Sequence, residues 1–211
     1  RATPLTEGRH ALQTQGIWHD GVAYTWEPAA PVTLTIGTAT GNWNRISAQR
    51  SADPVRDTVF GLALSHGIRP DGAAYAYAVL PGVRAEDLAA LTRQPPFTIL
   101  ANAEAVQAVT HPGDEALGVV FHAAGQCEWR GGRLSVDRPC ALVLRREQQA
   151  WRLAVADPAA GSGTVRVAIA WPDGRAQRLD VALPDGHDAG GSIIVRLEPT
   201  SPDPPVSGMR K

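Results

Sequence analysis

Short runs rich in Val, Ile, Thr, Tyr and Trp, each closed off by Gly, Pro, Asn or Asp, recur along this chain at roughly ten-residue intervals. That rhythm leaves little room for helices and points to an all-β protein of packed antiparallel sheets. Strands are expected near 17–26, 32–37, 43–46, 55–66, 74–80, 97–100 and 105–110. A second group is expected near 117–123, 126–130, 133–136, 141–146, 150–156, 164–171, 176–183 and 192–198. Several of them alternate. In Thr164-Val165-Arg166-Val167-Ala168-Ile169 the two valines and the isoleucine face one way and would line a core, with the other face wet. The one helix-like segment is 85–91, about two turns of Ala, Glu, Asp and Leu, which suits a connector between β units.

With 211 residues, either one large sandwich or two smaller ones can bury a real core. Gln94-Pro95-Pro96 decides between them, because it follows the short helix and has neither the donors nor the freedom to continue a sheet. The expected organisation is an antiparallel β-sandwich unit over 1–93, a smaller C-terminal β-sandwich over 94–198, and a Pro- and Ser-rich disordered tail over 199–211. Starting at Arg1 instead of Met, the sequence reads as a processed or excised piece of something longer.

A net charge of -1 with no run of like charge argues against a nucleic-acid partner, and no apolar stretch is long enough to cross a membrane as a helix. Cys127 and Cys140 are the only cysteines. If Gly131-Gly132 makes a hairpin turn, Cys127 faces Val136 and Cys140 lies four residues further along. At ~3.4 Å per residue that puts the sulfurs beyond bridging distance, so a disulfide would need a bulge or chain reversal at Asp137-Arg138-Pro139. The six histidines show no zinc spacing, and the glycine pairs lead into strands where a phosphate loop would open a helix, so no metal and no cofactor is expected.

Two clusters could bind a sugar. Trp18-His19-Asp20-Gly21 with Tyr24 and Trp26 gathers an imidazole, a carboxylate and aromatic rings, although Asp-Gly is also what a tight hairpin turn requires. Asn42-Trp43-Asn44 flanks a large ring with amides, a composition suited to stacking on a sugar and bonding its hydroxyls. The simpler reading makes Trp43 a core residue beside turn-forming Asn. Ser65-His66-Gly67 lacks the frame of a nucleophile elbow, so a serine hydrolase is not supported.

Taken in order, the segments Ile17-Trp18-His19-Asp20-Gly21-Val22-Ala23-Tyr24, Gly41-Asn42-Trp43-Asn44-Arg45-Ile46 and His66-Gly67 through Tyr75-Ala76-Tyr77 to Leu80-Pro81-Gly82 resemble one known series. It is the β-sandwich part of the family 8 polysaccharide lyases, which include hyaluronate, chondroitin AC and xanthan lyases. Ile99-Leu100-Ala101-Asn102 with Val106-Gln107-Ala108-Val109 is similar to the opening of that family's small C-terminal β domain. Beyond about residue 158 no family motif stands out, and that part rests on its strand pattern.

The resemblance implies a C-terminal β region that supports and shapes a cleft for an acidic, uronate-containing polysaccharide such as a glycosaminoglycan or xanthan. In the family an N-terminal α/α toroid carries the Asn, His, Tyr and Arg that drive β-elimination. Those residues have no counterparts here, so this segment alone is expected to be inactive, with no catalytic residue. The implied setting is a secreted bacterial lyase whose toroid is the β region's partner. His19, Asn42 and Trp43 are the candidate glycan contacts. The alternatives are a stand-alone carbohydrate-binding module and a purely structural sandwich. Exposure of the tryptophan rings separates them, since a binding platform presents its rings and a scaffold buries them.

Overall fold

The computed structural model describes residues 5–27, 31–111, 113, 115–148 and 150–197; the expected tail at 199–211 lies outside them. The chain divides into two compact units, Arg1–Pro95 and Pro96–Lys211. Both are built almost wholly from antiparallel strands.

The first unit holds β1 (Gly8–Leu12), β2 (Gly16–His19), β3 (Val22–Trp26), β4 (Val32–Gly41), β5 (Val55–Leu64) and β6 (Tyr77–Pro81), followed by a turn of 3-10 helix and α1 (Leu88–Arg93). They form two three-stranded sheets, β1-β4-β5 and β2-β3-β6. β2 and β3 make the hairpin that Asp20-Gly21 demands. His19 pairs with Val22, and both turn residues have positive φ, 46° and 77°, the conformation of a two-residue turn that matches strand twist. The inward rows Val32, Leu34, Ile36 of β4 and Phe60, Leu62, Leu64 of β5 stand opposite one another in register. They face the Tyr24 and Trp26 side of the other sheet, and α1 covers the opposite side, where Leu88 and Thr92 lie against Gly16.

Two expectations need correction here. Residues 43–46 do not form a strand: Trp43–Arg45 is a 3-10 turn, because the Asn42 side chain accepts the Arg45 N–H and caps it. β1 was not expected, since Gly-Arg-His-Ala-Leu carries little strand propensity. Its pairing with the Thr- and Val-rich β4 makes it a strand.

The second unit contains β7 (Thr98–Asn102), β8 (Val106–Thr110), β9 (Ala116–Phe121), β10 (Gly125–Trp129), β11 (Gly132–Val136), β12 (Cys140–Glu147), β13 (Ala150–Ala156), β14 (Gly163–Ala170), β15 (Ala176–Leu183) and β16 (Ile193–Leu197). A six-stranded sheet, β16-β13-β12-β9-β8-β7, contributes to one core with a four-stranded sheet, β10-β11-β14-β15. The alternation read from the sequence is what fills that core: Val165, Val167 and Ile169 from one sheet join Leu142, Leu144, Leu153 and Val155 from the other, all at most 3% exposed. Each such side chain contributes about 1.5–3 kcal/mol by leaving water. The loop after β13 is clamped by Asp157, which accepts the Ala159 N–H and faces Arg138 at 3.7 Å, while Arg138 donates to the Ser162 carbonyl.

The β10–β11 hairpin turns one residue earlier than Gly131-Gly132 would have it. Arg130 and Gly131 form the turn, Trp129 pairs with Gly132, and Cys127 faces Leu134. Gly132 is needed elsewhere: at φ +142° it lies flat against the Ala170 carbonyl, where any Cβ would collide. Cys127 and Cys140 fall in different sheets and are both buried free thiols.

Candidate functional site

The chemistry-bearing residues of the first unit separate into three places. At the β2–β3 turn the His19 imidazole lies flat on the Phe60 ring, with centroids 4.5 Å apart and 3° between planes, and Tyr24 leans on the same ring at 5.3 Å. The Trp18 indole donates to the Val83 carbonyl at 2.7 Å and is 36% exposed. Trp26 is 9% exposed. The cluster is therefore a set of packed rings, with one face of His19 occupied, and Trp26 cannot act as a platform.

Behind it, a cavity of about 390 Å³ opens between the two sheets, lined by Tyr24, Trp26, Phe60, Leu62, Tyr77 and Val79 among others. Its wall is predominantly apolar.

The second place is the end of the β4–β5 hairpin. From Gly37 to Gly41 and from Val55 to Val59 that hairpin is largely exposed on both faces, so it runs on as a bare two-stranded arm. Its loop is short of core but rich in hydrogen bonds. Asn42 caps Arg45, Asn44 Nδ2 donates to the carbonyls of Ala48 and Arg50, and the Asn44 N–H donates to Ser51. These bonds hold Trp43 and Ile46 outward, 57% and 80% exposed. The reading of Trp43 as a core residue is overturned: the asparagines brace the loop and leave the ring more than half exposed. Phe60 and Val55 are five residues apart on β5, about 17 Å at ~3.4 Å per residue. His19 on the one hand and Asn42 and Trp43 on the other are therefore separate places on the unit.

The third place was not singled out from the sequence as a ring surface. Tyr75 and Tyr77 stack at 6.2 Å with 17° between planes, and His66 meets Tyr75 at 5.6 Å. Both tyrosines are more than half exposed. The Tyr-x-Tyr spacing, which puts both rings on one side of an extended segment, was the signal available. Among the described residues no group of three His, Cys, Asp or Glu side chains gathers where it could hold a metal.

Residues 2–92 match the family model described as polysaccharide lyase family 8, super-sandwich domain, and residues 98–166 match polysaccharide lyase family 8, C-terminal beta-sandwich domain. The chain is 30% identical over 180 residues to a chondroitinase-AC of Pedobacter heparinus, covering 84% of this chain and 26% of that protein. It is 31% identical over 145 residues to a hyaluronate lyase of Thermasporomyces composti, covering 68% of this chain and 18% of that one. Among solved structures, a chondroitinase AC lyase superposes with a TM-score of 0.74 at 28% identity, over 91% of this chain and 29% of the other. The chain thus spans about a quarter or less of the length of these curated relatives.

Proposed function

Because this chain belongs to polysaccharide lyase family 8, as a C-terminal β region of that family, we propose that it works as the non-catalytic β portion of a secreted bacterial lyase. The whole enzyme would cleave a uronate-containing polysaccharide by β-elimination. That reaction removes the proton next to the uronate carboxyl and protonates the departing glycosidic oxygen, so it needs a base, an acid and a group that neutralises the carboxylate, all aimed at one sugar. An N-terminal helical toroid of the same enzyme supplies that set. The β region's share is to support the toroid and to present sugar-contacting groups at the rim of the cleft.

The observation that carries this reading is Trp43, a large ring held outward on a hydrogen-bonded loop at the end of a bare β-arm. Such a ring costs little entropy to fix and offers an apolar face to a sugar, with the Asn42 and Asn44 amides close in sequence. His19, stacked on Phe60, has an edge left for a polar contact at the base of the same unit. The test is complementation: this chain is mixed with a separately made toroid portion and turnover of chondroitin, hyaluronan and xanthan is followed. Trp43→Ala is expected to raise KM several-fold at little change in kcat. Unchanged KM would remove Trp43 from the cleft.

A second reading, a stand-alone carbohydrate-binding module, draws on the exposed Tyr75 and Tyr77 pair. It requires the isolated chain to bind oligosaccharide at micromolar concentration. The lyase reading requires only weak binding until the toroid is present.

A further inference from the structure

The outer face of the six-stranded sheet carries charge that the cleft reading does not use. Residues paired directly across antiparallel strands share a face. Arg145 of β12 stands opposite Arg152 of β13, and Arg152 stands opposite Arg196 of β16. Three exposed arginines thus stand side by side on three neighbouring strands, spanning about 10 Å at ~4.8 Å per strand step.

Like charges placed opposite one another on a sheet cost stability. Glu147 lies 3.3 Å from Arg152, and Arg145 makes no ion pair among the described residues. Arg196 enters by its place in the row alone.

One step along the strands, the next row reads Val143, Ala154 and Ile194 in the same register, with Val143 and Ile194 51% and 56% exposed. A line of cations therefore borders a flat apolar shelf.

We propose that this face is a secondary binding surface for an acidic polysaccharide, outside any cleft. Carboxylate or sulfate groups pair with Arg145, Arg152 and Arg196, whose planar forks suit them, and the C–H faces of the sugar rings rest on Val143, Ala154 and Ile194. Single-stranded nucleic acid shares the anionic chemistry but draws much of its affinity from bases stacked on aromatic rings, and neither row contains one. The assignment stands on the chemistry of this face and does not depend on the cleft reading.

The test is retention of the full 211-residue chain on immobilised chondroitin sulfate, eluted with sodium chloride. The variant R145Q/R152Q/R196Q is expected to lose affinity by about tenfold, three exposed charge contacts being removed. R9Q/R84Q/R93Q, with the same change in net charge in the other unit and away from the Trp43 arm, is expected to elute with the unsubstituted chain. Thermal melting confirms that each variant is folded, and Arg145→Gln alone, which leaves the Arg152–Glu147 pair intact, gives a smaller loss in the same direction. Full retention of the row variant overturns the proposal. So does a column of single-stranded DNA that binds through the same row and releases the chain at the same salt.

Discussion

The His19 imidazole lies parallel to the Phe60 ring at 4.5 Å, tying the β2–β3 turn of one small sheet to the middle of β5 in the other. Few side chains of the first unit are fully buried among the described residues, and this ring pair joins its two sheets. Phe60→Ala is expected to cost about 2 kcal/mol, less than a fully buried aromatic because Phe60 is half-buried. His19→Phe keeps the stack and is expected to stay within ~0.5 kcal/mol of the original, while His19→Ala loses about 1 kcal/mol. Denaturant unfolding of the three variants measures this. Equal losses for His19→Phe and His19→Ala would show that the imidazole nitrogens, and not the stack, hold the turn.

Trp43 gives the opposite pattern. Its ring is 57% exposed, so Trp43→Ala is expected to change stability by no more than ~0.5 kcal/mol. A loss of 3 kcal/mol or about that, the size seen for buried aromatics, would return Trp43 to a structural role.

Gly132 tests the strand register of the second unit. Its φ of +142° and its contact with the Ala170 carbonyl leave no space for a Cβ. Gly132→Ala is expected to destabilise that unit by about 3 kcal/mol or more, through strain and a lost pairing of β11 with β14. Gly174→Ala, at a positive φ of 86° with open space around it, is expected to cost only about 1 kcal/mol. Thermal melts of the pair compare the two effects directly.

The thiols predict a pH dependence. Burial, with Asp157 and Asp137 nearby, pushes Cys140 up from the ordinary 9.0 to about 11, and burial raises Cys127 as well. The folded chain therefore holds protons that the unfolded chain gives up. Stability from this source is complete below about pH 9 and falls as pH rises toward about 11. Thiol titration with a disulfide reagent at pH 8 is expected to find both cysteines unreactive in the native chain and both reactive in denaturant. Rapid native labelling of either would contradict their burial.

Much of the fold was legible because local chemistry and tertiary structure agree. Asp20-Gly21 turns where its residue types require, and Val165, Val167 and Ile169 are buried as their alternation implies. The misreadings arise where one residue serves two ends. Gly132 looked like a turn residue but serves a close approach between strands, and the turn moves one residue earlier, which shifts the strand pairing by two, from Val136 to Leu134 opposite Cys127. Asn42 looked like a turn former beside a core Trp, but its side chain caps a 3-10 turn whose Trp43 ring is exposed. The ring pair of Tyr75 and Tyr77 was open to reading from its two-residue spacing, whereas the row of Arg145, Arg152 and Arg196 is set by strand register, which a single sequence does not fix.

The central claim is that this β region belongs to a lyase without carrying its chemistry, and lyase turnover tests it most directly. Absorbance of the unsaturated uronate product is followed while the chain, alone and then mixed with a separately made toroid portion, is incubated with hyaluronan, chondroitin and xanthan. The account predicts no product from the chain alone and product from the mixture on at least one of the polymers. Product from the chain alone would contradict it and would turn attention to the imidazoles of His19 and His66.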